Sequence, residues 1–323
     1  MRAIVMRAIG GPEVLELAEV PTPEPAEGEV LIKVRAVSIN RSFDLGVRAG
    51  TYVLKPPLPH ILGADPSGTI VAVGQGVEPA RLGQRVVVVG RGPSGAGGYA
   101  EFVAVPEACA IPIPDQIDFP AATCIARHVP TAFHLLEVKA NVRPGEWVLI
   151  MGAAGGLGNS ALQVAKLHKA RVIAGASTDK RVRNCLEYGA EQGVNYREQD
   201  LAAEVMRITA GHGADIVVEN IADPTLWPGA FESLASGGRL VTAGAHGGGV
   251  VPLDVRQLYL KRLTIMGTPE SRPTDVQRAL DAAASGTIRA SIGCVLPLAA
   301  AAEAHRLVET NEVIGKLVLQ PDL

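Results

Sequence analysis

Cysteine is scarce in this chain: four residues in 323, at Cys109, Cys124, Cys185 and Cys294, with no Cys-x-x-Cys pair among them. That scatter excludes a disulfide framework and points to a reducing compartment. Charge of one sign is also missing. The net charge is −3, with no basic patch to hold nucleic acid and no acidic tail. No apolar run is long enough to span a bilayer. The opening Met1-Arg2-Ala3-Ile4-Val5 lacks the longer apolar core of a signal peptide. The expectation is a soluble cytoplasmic protein with no nucleic-acid or membrane partner. Aromatic residues are few, whereas Gly, Ala and Val are plentiful, a balance that suits an α/β protein with many tight strand-to-helix turns.

The length is comfortable for two domains, and an apolar fraction of 47% is enough to bury sizeable cores. The first third reads as β-rich. Short apolar runs bounded by glycine or proline stand at Val30–Val34, Gly68–Val73 and Arg85–Val89, and no long helical period precedes Phe119. From Ala121 to Val138 the composition is helical, with Pro130 expected to start, kink or divide the helix. Strands then alternate with helices: strand Trp147–Met151, helix Ser160–Lys169, strand Arg171–Gly175, helix Lys180–Tyr188, and strands Asp215–Glu219, Arg239–Ala243 and Leu263–Met266. Such alternation implies a doubly wound parallel sheet. A helix over about 274–285 and a strand over 314–319 follow, and the tail is expected to return to the first domain.

Between the first of these strands and its helix lies Met151-Gly152-Ala153-Ala154-Gly155-Gly156-Leu157-Gly158. Glycines there let the backbone turn tightly and approach a pyrophosphate, which the amides and positive end of the following helix then hold. Against the usual G-x-G-x-x-G, Ala153 replaces the first glycine, while Gly155 and Gly158 keep the second and third. The order strand, loop, helix, strand is the context that separates a dinucleotide site from an ordinary turn. NAD sites carry an acid about 20 residues past the loop, on the ribose 2′-hydroxyl. Here that place holds Ala174-Gly175-Ala176-Ser177-Thr178, and the first acid, Asp179, comes later. Small residues, hydroxyls and the cations Lys180 and Arg181, with Tyr196-Arg197 beyond, suit the 2′-phosphate of NADPH. The competing reading makes Lys180, Arg181 and Arg183 the solvated face of a helix. The candidate cofactor contacts are Thr131, Ala154, Gly155, Gly156, Leu157, Ser177, Lys180, Arg181, Tyr196, Asn220, Gly244 and Lys316.

The whole chain resembles the medium-chain dehydrogenase/reductase superfamily, in particular its quinone oxidoreductase branch. The matching stretches are Met1-Arg2-Ala3, Gly10–Leu15, Glu29–Val34, Asp44 to Tyr52 and Leu62-Gly63-Ala64-Asp65-Pro66-Ser67-Gly68. The glycine loop, Asn195-Tyr196-Arg197 and Ile314-Gly315-Lys316 complete the set. The resemblance implies an α/β fold of two parts: a GroES-like, β-rich catalytic domain from residues 1–121 and 268–323, and a Rossmann NADP(H)-binding domain over 122–267. It implies a cofactor in the cleft between them and a homodimer or homotetramer, often paired through the nucleotide domains. Zinc alcohol dehydrogenases of this superfamily place a Cys before the position of Asp44, a His-Glu pair after Leu62-Gly63 and a third ligand before Thr131. This sequence has Asn40-Arg41, Ala64-Asp65 and Arg127 near those places, and Arg91 to Gly98 is only a glycine-rich connection where a structural-zinc lobe would stand. No metal is expected. Cys124 and His128 have i, i+4 spacing and His60 is a possible third member, but lone Cys and His residues are usually packing or surface residues. His134, His168, His212, His246 and His305 show no ligand spacing and take the same reading.

Without a Lewis acid, hydride transfer still works on an already electrophilic carbon, as in quinones and α,β-unsaturated carbonyls, where the charge moves to an oxygen that a few donors can meet. The resemblance makes Asn40 the candidate catalytic group near the nicotinamide. It lies one residue further from Asp44 than the family's spacing, so either a bulge restores it or Arg41 takes the place. Tyr52 is the second candidate, as a donor to substrate or as a loop-packing ring. Asp44 is expected to cap a helix. Phe43, Tyr52, Trp227 and Tyr259 are candidates to line an apolar pocket. The leading expectation is NADPH-dependent reduction of a small quinone or enone; the alternatives are a zinc-free alcohol or carbonyl dehydrogenase and a low-turnover NADPH-binding protein.

Overall fold

The computed structural model describes residues 1–53, 55–90, 97–269, 271–272 and 274–323. It divides into two compact units, Met1–Arg127 with Val276–Leu323, and His128–Asp275. The boundaries expected from the sequence are 121/122 and 267/268; in the structure the first boundary falls inside the helix Phe119–Phe133. The connection read over 91–98 lies outside the described residues except for Gly97 and Gly98. Among the described residues no helix is long and apolar enough to cross a membrane.

Eight strands come first: β1 (Arg2–Met6), β2 (Leu15–Glu19), β3 (Glu29–Ser38), β4 (His60–Ile61), β5 (Ser67–Val73), β6 (Arg85–Val88), β7 (Phe102–Pro106) and β8 (Ala110–Pro112). β1 lies between β2 and β4, antiparallel to both. β3 is the longest and the hub of the larger sheet, pairing antiparallel with β5 and β7. The nucleotide-loop unit contributes β9 (Trp147–Met151), β10 (Arg171–Ala176), β11 (Gln192–Asn195), β12 (Ala214–Val218), β13 (Leu234–Thr242) and β14 (Thr264–Gly267). The chain then supplies β15 (Ile292–Pro297) and β16 (Lys316–Gln320) to the first unit, where β16 pairs antiparallel with the end of β3 at Ser38 and Val37.

The second unit's sheet runs β11-β10-β9-β12-β13-β14, all parallel. This is the doubly wound order with its switch point between β9 and β12, which places a ligand crevice outside the carboxyl ends of those strands. Every residue of β9 is buried, as expected of a central parallel strand covered on both faces. Its helix begins at Gly156, four residues before the sequence reading, because the glycines themselves form its first turn. Pro130 neither starts nor divides its helix. It sits inside Phe119–Phe133, and the chain continues into the wider turns of His134–Lys139. A proline inside a helix supplies no amide to the carbonyl four residues before it, here that of Ala126.

Candidate functional site

In the second unit the chain leaves β9 at Gly152, whose φ of +62° is a left-handed conformation that glycine adopts without strain. That explains the altered motif. The left-handed residue is Gly152, so Ala153 can bury its methyl group where glycine is usual. Gly155 then caps the helix Gly156–Leu167 in an extended conformation with no side-chain cap. The first-turn amides of a twelve-residue helix therefore remain for an anion. A Cβ at Gly158 would overlap the carbonyl oxygen of Gly152, so this glycine seals helix against loop.

At the end of β10, Ser177 hydrogen-bonds Tyr196, and the charges of Arg181 and Arg197 act on that phenol. Burial holds the Arg181 guanidinium below its usual range and the Tyr196 hydroxyl above its own. Thr178 caps the helix Asp179–Glu187 by accepting from the Arg181 amide at 3.3 Å. Asp179 Oδ1 accepts from Asn195 Nδ2 at 2.9 Å, so the first acid after β10 is bonded to β11. The structure thus brings Ser177, Arg181 and Tyr196 together, while Lys180 is exposed on the same helix. Asn220, after β12, accepts the Ala243 amide at 2.8 Å through Oδ1, and its buried Nδ2 finds no partner among the described residues. A buried donor without an acceptor marks a place for a ligand or water. Gly244 follows β13, its carbonyl accepting from Thr242 Oγ1 at 3.1 Å. Thr131 is partly buried near the end of the helix Phe119–Phe133.

The first unit holds a different kind of cluster. Asn40 follows β3 and is 2% exposed. Its Oδ1 accepts from Lys316 Nζ at 2.7 Å and its Nδ2 donates to Asp65 Oδ2 at 3.1 Å. Lys316 Nζ also donates to the Ile39 carbonyl at 2.5 Å. Ser38 Oγ donates to Asp65 Oδ2 at 3.0 Å, and Asp65 Oδ1 is buried without a hydrogen-bond partner among the described residues. Burial lowers the Lys316 ammonium, and the Asp65 and Asp44 charges oppose that shift. The Cys124 thiol is pushed up to about 12, chiefly by burial.

The surroundings of these residues bear on the remaining expectations. The extra residue between Asn40 and Asp44 is absorbed by π-helical winding over Arg41–Leu45, the one-residue insertion that a bulge would supply. Arg41 turns away, its guanidinium donating to the Val308 carbonyl and, at 2.6 Å, to Asn311 Oδ1. Asp44 closes the start of this turn from inside, as its carboxylate reaches back to the amide of the N-cap residue Asn40. It is fully buried and accepts the Asn40 amide at 2.7 Å and the Gly63 amide at 3.1 Å. Tyr52 stands edge-on to Phe43, with ring centroids 5.3 Å apart, against the first unit's core. Trp227 belongs to the core of the other unit and Tyr259 is 65% exposed, so the four aromatics do not form one pocket wall. The sequence offers no site role for the buried Arg48 and Tyr99, it marks Asp65 only as standing where a zinc ligand would, and it leaves His305 as a packing residue. Asp65 was visible as a lone acid in the apolar stretch Leu62–Gly68; the others carried no local signal.

Comparison with known proteins agrees with this architecture over the whole chain. Residues 26–115 match the family model for the alcohol dehydrogenase GroES-like domain, and residues 156–285 that for zinc-binding dehydrogenases. A quinone oxidoreductase of Rattus norvegicus is 32% identical over 99% of this chain and 97% of its own. The chain belongs to the quinone oxidoreductase branch of the medium-chain dehydrogenase/reductase superfamily. Among solved structures, an NAD-dependent alcohol dehydrogenase superposes with a TM-score of 0.91 at 39% identity, covering 99% of each chain. Escherichia coli quinone oxidoreductase complexed with NADPH superposes with 0.89 at 29% identity, covering 99% of this chain and all of the other.

One of the matched models is named for zinc, so the donor set decides whether zinc fits. A zinc site takes three or four thiolate, imidazole or carboxylate donors. Among the described residues no group of three His, Cys, Asp or Glu side chains could hold a metal ion. At Asn40 the neighbouring cation is the Lys316 ammonium itself, and Cys124 is held as the thiol by burial. These residues do not fit zinc. The glycine loop, the Ser177–Arg181–Tyr196 group and the spare Asn220 donor do fit a phosphorylated dinucleotide.

Proposed function

We propose that this protein reduces quinones or α,β-unsaturated carbonyls with NADPH, by hydride transfer without zinc. The observation that carries the reading is the cluster at Asn40, where an ammonium and a carboxamide stand in place of metal donors. Bound NADPH supplies a hydride from its nicotinamide ring. The amides of Gly156 and Leu157, with the Ala154-Gly155 turn, hold the pyrophosphate, and Gly158 lets the helix approach. Ser177, Arg181 and Tyr196, with Lys180 at the rim, hold the 2′-phosphate. Thr131, Asn220 and Gly244 contact the nicotinamide half. Lys316 fixes the oxygen of the Asn40 amide, directing the second amide N–H to the substrate oxygen where charge collects. The third ammonium N–H of Lys316 remains for the cofactor, and Tyr52 orients the substrate.

The test is NADPH consumption over a panel of quinones, enones, aldehydes and alcohols, with the unaltered protein, Asn40→Ala and Tyr52→Phe. Turnover of quinones or enones, slowed in the variants, is the expected result. The 39% identical NAD-dependent alcohol dehydrogenase favours a second reading, zinc-free alcohol or carbonyl chemistry. Alcohol oxidation with no quinone or enone turnover would establish it. Tight NADPH binding with no acceptor turnover would point instead to a low-turnover NADPH-binding protein.

The assembly we propose is a homodimer, or a tetramer built from it, paired through β14. That strand ends the parallel sheet, and Ile265 on it and Tyr259 and Leu260 beside it are exposed. An uncovered edge with apolar neighbours is a template for a second copy. All four cysteines are free thiols, which supports a cytoplasmic location.

A further inference from the structure

A line of buried polar groups in the catalytic unit, Arg48, His305, Tyr99 and Asp44, takes no part in holding cofactor or substrate, and none is more than 2% exposed. Arg48 comes from the short helical turn after Asp44, His305 from the helix Ala301–Thr310 and Tyr99 from the chain just before β7. Polar groups this deep are costly unless each finds a partner, and here the partners form a sequence. The Arg48 guanidinium lies 3.2 Å from His305 Nδ1 and reaches Glu309 and the Gly10 carbonyl with its other nitrogens. His305 Nε2 lies 3.1 Å from the Tyr99 hydroxyl.

A guanidinium can only donate, so His305 Nδ1 must accept and the imidazole proton must sit on Nε2. That proton then points at the Tyr99 oxygen, which accepts it. The Tyr99 hydrogen is left for Asp44, its side-chain hydrogen-bond partner. Every donor in the line therefore runs one way, from Arg48 to the Asp44 carboxylate. Burial and the Arg48 charge lower His305 to about 3, which keeps it neutral across the working range. At the far end Asp44 joins two segments, taking the Asn40 amide on Oδ2 and the Gly63 amide on Oδ1. Two residues beyond Gly63, Asp65 takes the Asn40 side chain.

We propose that Tyr99 and His305 are positioning residues: they lock the Asp44 carboxylate in the orientation that holds the Asn40 backbone, and through it set the Asn40 carboxamide against Lys316 and Asp65. The proposal rests on the reading of Asn40 as a substrate-facing group. It gives the two rings work that neither core packing nor cofactor binding requires. Asp44 has little margin for losing a donor. Burial and the Asp65 charge raise it to about 6, against the Asn40 and Gly63 amides and the Lys316 ammonium, which lower it. Lys316 in turn faces Asp65, Cys124 and Arg127, and Tyr99 faces Asp44, Asp65 and Arg48.

Three variants test this: Tyr99→Phe, His305→Leu and His305→Gln, the last retaining both a donor and an acceptor. The readouts are the pH profile of kcat with a quinone, KM for NADPH, and melting temperature between pH 5 and pH 8. Loss of the Tyr99 hydroxyl should move the acid limb of kcat upward by about one pH unit, roughly a threefold loss at pH 6.5, with KM for NADPH changed less than about twofold. His305→Leu should do the same and His305→Gln should recover most of it. An unmoved acid limb in Tyr99→Phe, or equal impairment in the Gln and Leu variants, overturns the proposal. If His305→Leu does not fold, Tyr99→Phe decides. If the unaltered protein turns over neither quinone nor enone, the functional reading falls and melting temperature carries the test. Tyr99→Phe should then lose more at pH 8, where Asp44 is ionised, than at pH 5, and equal losses refute the line of donors.

Discussion

The two units build polar sites by opposite means. In the nucleotide-loop unit the groups that fit a ligand are mostly main chain: a left-handed Gly152, the uncapped first turn at Gly156 and the side-chain-free approach at Gly158. In the catalytic unit they are buried polar side chains from distant parts of the chain, each meeting a cation: Asn40 meets Lys316 across 276 positions and His305 meets Arg48 across 257. The first kind of site depends on the absence of side chains and should be lost by adding atoms. The second depends on balanced charge and should be lost by removing a partner.

Removing Lys316 tests the second kind most severely. Lys316→Met removes the ammonium whose charge acts on Asp65 and Asp44 and strips the Ile39 carbonyl and the Asn40 Oδ1 of their donor, and each buried polar group left unsatisfied costs about 1–3 kcal/mol. Urea unfolding should show a loss of that order. A loss below about 1 kcal/mol would mean that water reaches the carboxylates and that the cluster is not a closed charge balance. The matching test of the first kind is Gly158→Val. A branched side chain there meets the Gly152 carbonyl, so the helix must move off the loop, and NADPH affinity should fall by about two orders of magnitude. Calorimetric titration measures it, and near-native affinity would remove the close approach from the account of the site.

Asp44 sharpens the contrast through pH. Its value is about 6 in the folded chain against 3.8 for the free side chain. Between those values the folded state keeps a proton that the unfolded state has lost. The group therefore favours folding at low pH, and that contribution disappears as pH rises through about 4 to 6, by on the order of 3 kcal/mol. Asp44→Asn removes the titration. The stability cost of the substitution should thus be larger at pH 4 than at pH 7, and a cost independent of pH would show that Asp44 does not titrate in this window.

These differences also decide what the sequence made legible. The order β9, glycine loop, helix, β10 is read from neighbours in the chain, because a parallel strand buried on both faces is a continuous apolar run and a phosphate turn is a local glycine pattern. The missing acid after β10 was likewise visible, although the tie from Asp179 to Asn195 was not. Asn40 was found through resemblance and Lys316 within the Ile314-Gly315-Lys316 motif, but nothing local says that they bond. His305 looked like a packing residue because its partners, Arg48 and Tyr99, lie more than 200 positions away. For Pro130 the sequence leaves a start, a kink or a division open, and the tertiary setting keeps the helix continuous through it.

A smaller effect is expected where the nucleotide-loop unit itself turns to side chains. Replacing Lys180 and Arg181 together by Ala should reduce the preference for NADPH over NADH by on the order of 1–3 kcal/mol, roughly tenfold, with Arg181 the larger contributor because it is half-buried beside Tyr196. Affinities for both cofactors measure it. An unchanged ratio would assign the preference to Ser177 and Tyr196, and equal affinities in the unaltered protein would remove it altogether.

Tyr52→Phe is the mildest change and separates ring from hydroxyl. The ring already has a function in the fold, edge-on to Phe43 with Gly46 packed beneath its Cβ, and phenylalanine keeps both contacts. Melting temperature should therefore move by less than about 1 °C, because less than about 0.2 kcal/mol of packing changes. If the hydroxyl donates to the substrate oxygen, losing one neutral hydrogen bond of about 1 kcal/mol lowers kcat/KM for quinone roughly fivefold. NADPH affinity should stay as it was. Initial rates at several quinone concentrations decide between these roles. A fivefold fall with unchanged melting makes Tyr52 part of the substrate site, and rates equal to the unaltered protein leave it as packing, with Asn40 the remaining donor.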